Sequence, residues 1–237
     1  MSKRIYRKET TTPLGQTLNS LDMVAASVIT PQSVYPYLPE SAPDVRKRAQ
    51  LAVRRGDLEK AIAMLNRLII QHAGTAEDFN NRGLLHLWNG QPHKAIRDFD
   101  RAIALNPDLP AVYNNRANYY ATLDDQENAL ADYNRAIDLN PYHVRARINR
   151  GITLRKLGRY DEALDDLEDA LLFRQLNGEA YAERGRTYHL RGDWNCAIAD
   201  YRRALTTLPM PPEAVTLATH SYRYRVMAWM SELSTAA

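Results

Sequence analysis

The chain has one cysteine, three phenylalanines and a net charge of only +3 over 237 residues, and each shortage closes off a class of protein. A lone thiol, Cys196, rules out an internal disulfide and any zinc site built from cysteines. It sits beside Ala197, a core position of the pattern below, so a partly buried, inert thiol in the reducing cytoplasm is expected. No apolar run reaches the roughly 18 residues of a membrane span. The opening MSKRIYRKETTTPLGQTLNSLDM is basic, but Asn19, Ser20 and Asp22 interrupt it, so it does not read as a secretion signal. Scarce Phe and plentiful helix formers point away from a β-sandwich.

Catalytic equipment is also missing. His72, His86, His93, His143, His189 and His220 show no HExxH spacing, and no glycine-rich phosphate loop is present. The acidic run Asp161, Glu162, Asp165, Asp166, Glu168, Asp169 reads as the solvated face of one helix, and His86 as a core residue. The expectation is a chain that is not an enzyme, with no catalytic residues, no metal and no cofactor. Residues 1–60 carry 10 Lys/Arg against 6 Asp/Glu, so the small basic excess lies at the amino end, notably Arg46, Lys47, Arg48, Arg54, Arg55 and Lys60. That patch reads as a solvated first helix.

What the sequence does have is a period. Five blocks of 34 residues align without insertion, each with a small residue followed twelve positions later by alanine: Ala49/Ala61, Gly83/Ala95, Ala117/Ala129, Gly151/Ala163, Gly185/Ala197. A second small site follows at Ala102, Ala136, Ala170 and Ala204, with Leu68 as the exception. Fixed-period repetition means stacked identical units, each burying its apolar face on its neighbours. The units are placed at 42–75, 76–109, 110–143, 144–177 and 178–211, each a helix of about 13 residues, a turn and a second helix. Gly56, Gly90, Gly158 and Gly192 mark the turns, with Asp124 in the remaining one. Asp57, Asp125 and Asp193 follow as caps for the second helix. Asn106-Pro107, Asn140-Pro141 and Pro209 close the second helices.

Residues 1–41 stand outside this register and read as largely disordered, rich in Ser, Thr and Pro. Within them Leu14, Leu18, Leu21, Ala25 and Val28 have helical spacing. Ser33 to Pro39 has the content of an extended recognition segment. After the repeats, residues 212–237 read as a capping helix, over 212–231, and a tail. Tyr222, Tyr224, Met227 and Trp229 on it are candidates for a partner or self-association surface.

These features resemble the tetratricopeptide repeat family. Its pattern places aromatics at the fourth and twenty-fourth positions, met by Phe79, Tyr113 and Tyr181 and by Phe99, Tyr133 and Tyr201. Repeat four departs with Arg147 and Leu167, and repeat one with Val45 and Leu65. The wording NNRG followed by AIRDFDRAIALNP looks like bacterial members. The resemblance implies an all-α fold: a right-handed α-solenoid of five tetratricopeptide helical hairpins plus the C-terminal capping helix, with a groove lined by first helices. The seventh position, usually Leu in the family, is Arg48, Arg82, Arg116, Arg150 and Arg184. The twenty-third is Asp98, Asp132, Asp166 and Asp200. A ladder of Arg–Asp pairs follows, each worth about 0–1 kcal/mol if exposed.

Positions two, five, six, nine, twelve and thirteen of the first helices are expected to face the groove. Asn81, Asn115 and Asn149 recur at position six, Asn80 and Asn114 at position five, with Asn118 and Arg145 extending the polar lining. An amide both donates and accepts, so this set suits the backbone of an extended peptide, as in the asparagine ladders of some family members. The family's carboxylate clamp is not satisfied in any register; starting at repeat three it ends in Glu179 and Glu183, which repel a carboxylate. The expected function is a protein–protein adaptor or scaffold that binds a peptide or helix of a partner and supports complex assembly or regulation. The amino-terminal segment is a candidate occupant of the same groove. Alternatives are a nucleic-acid-binding repeat or a homo-oligomer formed through the last helix.

Overall fold

The computed structural model describes residues 41–209 and 222–235, and their regular structure is entirely helical. Ten helices form five hairpins: α1 (Ala42–Arg54) with α2 (Leu58–His72), α3 (Ala76–Trp88) with α4 (Pro92–Leu105), α5 (Pro110–Thr122) with α6 (Gln126–Leu139), α7 (Val144–Lys156) with α8 (Tyr160–Leu172), and α9 (Asn177–Arg191) with α10 (Trp194–Thr207). An eleventh, α11 (Tyr222–Thr235), closes the stack. Each second helix packs on its own first helix and on the first helix of the next hairpin, which makes a right-handed α-solenoid.

Local chemistry sets the ends. Ser41 Oγ accepts the Asp44 N–H, and Thr75 forms a capping box with Asp78. Pro92 and Pro110 occupy first turns, where no N–H is required. The turn within each hairpin needs a left-handed residue, supplied by glycine in four hairpins and by Asp124 (φ 61°) in the third. Asp57 and Asp125 cap as their spacing predicts. The Asp193 carboxylate instead accepts from Arg191 Nε and makes no cap bond.

The small residues are where the helices cross. Ala61, Ala95, Ala129, Ala163 and Ala197 are all fully buried. A Cβ at Gly83 would lie 2.7 Å from Phe99 Cε1, and one at Gly185 would lie 2.8 Å from Tyr201 Cδ1. The aromatic rings therefore fill the space those glycines leave. Cys196 departs from expectation. It is exposed, because its neighbour Ala197 takes the inward direction and the preceding helical position turns to solvent.

The Arg–Asp pairs form in hairpins two to five, and they are not surface pairs. Nε of Arg82, Arg116, Arg150 and Arg184 donates to Asp98, Asp132, Asp166 and Asp200 at 2.8, 2.7, 2.7 and 2.7 Å, and Nη2 donates to the second oxygen. The four aspartates are buried, none more than 7% exposed as a whole residue. Each guanidinium has a third contact, one hairpin back: Asn66 at 2.9 Å, Asp100 at 2.8 Å, Asn134 at 2.7 Å and Glu168 at 3.6 Å. One arginine thus ties the two helices of its own hairpin and staples that hairpin to the one before.

Hairpin five is closed by α11, which packs on both α9 and α10. Val226 is fully buried, and Tyr222, Trp229, Met230 and Leu233 pack beside it. The fully buried Glu183 carboxylate lies between Arg155 (2.8 Å) and Arg225 (3.2 Å), linking α7, α9 and α11. The expected closing helix over 212–231 begins outside the described residues and continues past residue 231. The expectations for residues 1–40 also fall outside them.

Candidate binding groove

The asparagines sit along the seams between successive first helices. Asn115 Nδ2 donates to Asn80 Oδ1 at 2.9 Å, and Asn149 Nδ2 donates to Asn114 Oδ1 at 3.1 Å. Within each helix the neighbouring pair is joined as well, Asn80 to Asn81 at 3.4 Å and Asn114 to Asn115 at 3.2 Å. The result is one unbroken line of donation from Asn149 through Asn114, Asn115 and Asn80 to Asn81. Asn149 also donates to Asn118 Oδ1 at 3.0 Å, which accepts the Tyr133 hydroxyl at 2.6 Å.

This places the candidate residues in two groups. Asn80 and Asn114 at position five, and Asn115 at position six of the third hairpin, are buried and consumed by the seam. A peptide cannot reach those amides without breaking the network. Asn81, Asn118 and Asn149 keep accessible surface and line recesses. Arg145 is exposed and pairs with Glu179 at 3.1 Å. On α11, Tyr222 and Trp229 are packed within the chain, Trp229 against Tyr201 and Arg186. Tyr224 and Met227 are exposed on the opposite side.

Two cavities open on this face at equivalent repeat positions. One, about 440 Å³, lies between α1 and α3, floored by Ala49, Val53, Leu65 and Leu85 and walled by Trp88, with Asn81 and Arg54 at its edge. The other, about 500 Å³, lies between α5 and α7, and Asn118, Thr122, Asn149 and Lys156 line it. The same positions therefore present a recess edged by Trp88 at one end and a recess of mixed character, with Ala121, Ile152 and Lys156, further along. Sequence alone did not single out Trp88, and it gave Arg54 only as part of a basic first helix. The signal for both was position thirteen, which carries an exposed residue in all five hairpins.

The seams also differ. The first helices of hairpins two to five approach their neighbours closely, whereas no Cα of α1 comes within 8 Å of one in α3. The amide link is missing there. Position five is Arg46, which reaches Asp78 through two bonds of 2.8 and 2.7 Å. Burial opposes ionisation of Asp78 most strongly, yet the bonds from Arg46 and the Thr75 N–H outweigh it and hold the carboxyl below its usual range.

No group of three or more His, Cys, Asp or Glu with the geometry to hold a metal occurs among the described residues. His86 is buried, with Nδ1 2.9 Å from Gln91 Oε1. Burial pushes its imidazole below the ordinary value despite the opposing pull of Asp98. None of the described helices is long and apolar enough to cross a membrane.

Family models described as tetratricopeptide repeat match residues 49–117, 110–143 and 142–208. No curated protein matches the sequence. A thermophilic tetratricopeptide repeat protein of Thermus thermophilus is 19% identical with a TM-score of 0.67, covering 80% of this chain and 99% of that one. PilW, a type IV pilus biogenesis factor, is 18% identical with a TM-score of 0.66, covering 84% and 96%. MamA is 21% identical with a TM-score of 0.56, covering 67% and 92%. At these identities the likeness is one of fold.

Proposed function

The chain belongs to the tetratricopeptide repeat family, and from that premise we propose that it is a non-enzymatic adaptor holding a segment of a partner protein in the groove of its first helices. Proteins of this family are generally interaction scaffolds. The observation that carries the reading here is the pair of recesses at equivalent repeat positions, bordered by side chains that the seam network and the arginine staples hold in place. Binding works by shape, an apolar anchor and a few fixed amides: Asn81, Asn118 and Asn149. The buried Asn80, Asn114 and Asn115 keep the wall in register. PilW is a type IV pilus biogenesis factor, and a role in assembling or regulating a complex is the corresponding proposal for this chain.

The test is affinity capture from native lysate, comparing the intact chain with Asn81→Arg/Thr122→Arg, which puts a long side chain into each recess from an exposed position. Far-UV circular dichroism checks that the variant folds. Loss of specific proteins from the variant supports groove binding. Identical captured sets, or capture removed by ribonuclease, reject it.

A further inference from the structure

The recess between α1 and α3 says more about what enters the groove. We propose that it is an anchor site for a bulky aliphatic or aromatic side chain on an acidic segment of the partner, a reading that rests on groove binding as proposed above.

Three observations converge on it. First, no Cα of α1 lies within 8 Å of one in α3, and an open cavity of about 440 Å³ lies between the two helices over an apolar floor. Second, Trp88 stands at its edge with 56% of its surface exposed, an amphipathic anchor of the kind enriched at protein interfaces. At the matching place in the second recess stands Lys156, so of the two recesses only the one at the amino end has an aromatic edge at this position. Third, the rim is cationic. Arg54 borders the recess and makes no ion pair among the described residues, while Arg46, earlier on the same helix, is paired with the buried Asp78. The exposed Lys47 and Arg55 on the same stretch add to the field. An acidic segment complements that rim, a basic one is repelled, and the wedge accepts one large apolar side chain.

The experiment is selection of a random dodecapeptide phage library on the full chain, followed by fluorescence anisotropy of individual selected peptides at low and physiological salt. The expected result is enrichment of peptides with Leu, Phe or Met beside Asp or Glu. Trp88→Ala should weaken them at least tenfold, and Arg54→Glu should weaken them and reduce their salt dependence. Both substitutions are at exposed positions, so thermal melting should match the wild type. Selected peptides that lack such a pair, including neutral Tyr-Pro sequences like the chain's own Ser33–Pro39, overturn the proposal, as does failure to enrich any peptide family. Peptides indifferent to Trp88→Ala and Arg54→Glu also overturn it. If those peptides still lose binding to Thr122→Arg, groove binding stands and only the anchor fails; if they ignore that substitution too, both readings fail.

Discussion

Replacing Asp132 with Ala should destabilise the chain by about 2–4 kcal/mol, several times the effect of replacing Asp100. Both carboxylates bind the same guanidinium. Arg116 gives Asp132 two bonds, of 2.7 and 2.9 Å, and Asp100 one, of 2.8 Å. The difference is solvent. The Asp132 side chain is 10% exposed and that of Asp100 is 57% exposed. Removing one partner of a buried pair costs roughly 3–5 kcal/mol, because the remaining charge is stranded. Arg116, at 21% exposure, retains Asp100 and some water, which lowers the figure. An exposed pair such as Arg116–Asp100 is worth about 0–1 kcal/mol. Arg116 also stacks near Tyr113 and Tyr120, 5.8 and 6.0 Å from their ring centres, so its position survives loss of the acid. Urea unfolding followed by circular dichroism measures both variants. A double-mutant cycle with Arg116→Leu and Asp132→Leu should recover more than half of the summed single losses, since an apolar pair strands no charge. Equal, sub-kilocalorie effects of Asp132→Ala and Asp100→Ala would refute the claim that the staple works through burial.

His143 caps α7 by accepting the Ala146 N–H at Nδ1, at 3.1 Å, and burial holds its ionisation below the ordinary value. A depressed histidine is stabilising above its unfolded value near 6.5, and that contribution is lost as pH falls from there through the lowered native value; the unfolding midpoint of the wild type should fall as the pH drops below about 6.5, and His143→Asn, which caps without titrating, should flatten part of that slope. Asn114→Ala leaves Asn115 and Asn149 short of buried partners and should cost about 1–3 kcal/mol in urea, whereas Asn81→Ala, at an exposed end of the line, should cost under about 0.5 kcal/mol; equal costs would show that the seam network carries no energy. Ala129→Leu forces three carbons into a fully buried crossing and should cost about 1–3 kcal/mol in the same assay.

The repeat register was readable because it follows from packing. A crossing tolerates only a small residue, and that constraint returns at every unit whatever the surface does. The seams were harder to read. Position five looks like a groove position on a single helical wheel, and only the placement of the next hairpin turns Asn80 and Asn114 inward. The third contact of each arginine was also missed, although a trace of it was present. Position twenty-five is Asn66, Asp100, Asn134 and Glu168 in the four repeats that another follows, and Arg202 in the last. An acceptor appears wherever a staple must be received and changes to a cation where none arrives. The groove's apolar end was legible in neither composition nor period. Trp88 and Arg54 meet at one recess only through the placement of α1 beside α3, and position five there is Arg46, where later repeats carry a shorter side chain.

Repeat proteins gather their stability from neighbouring contacts, so unequal seams produce an unequal molecule. Hairpins two to five share large buried side chains against small residues and the arginine staples, and a line of amides joins hairpins two to four. The first seam lacks the last of these and is held at its edge by Arg46 and Asp78. A segment that fills the wedge would therefore act as the missing contact, burying apolar floor already organised on one side by Leu65 and Leu85. Because the rest of the wall is fixed before binding, little ordering entropy opposes the event except at that end. Stability and recognition then meet at the α1–α3 seam, where the first helices stand apart and leave room for another chain beside Trp88.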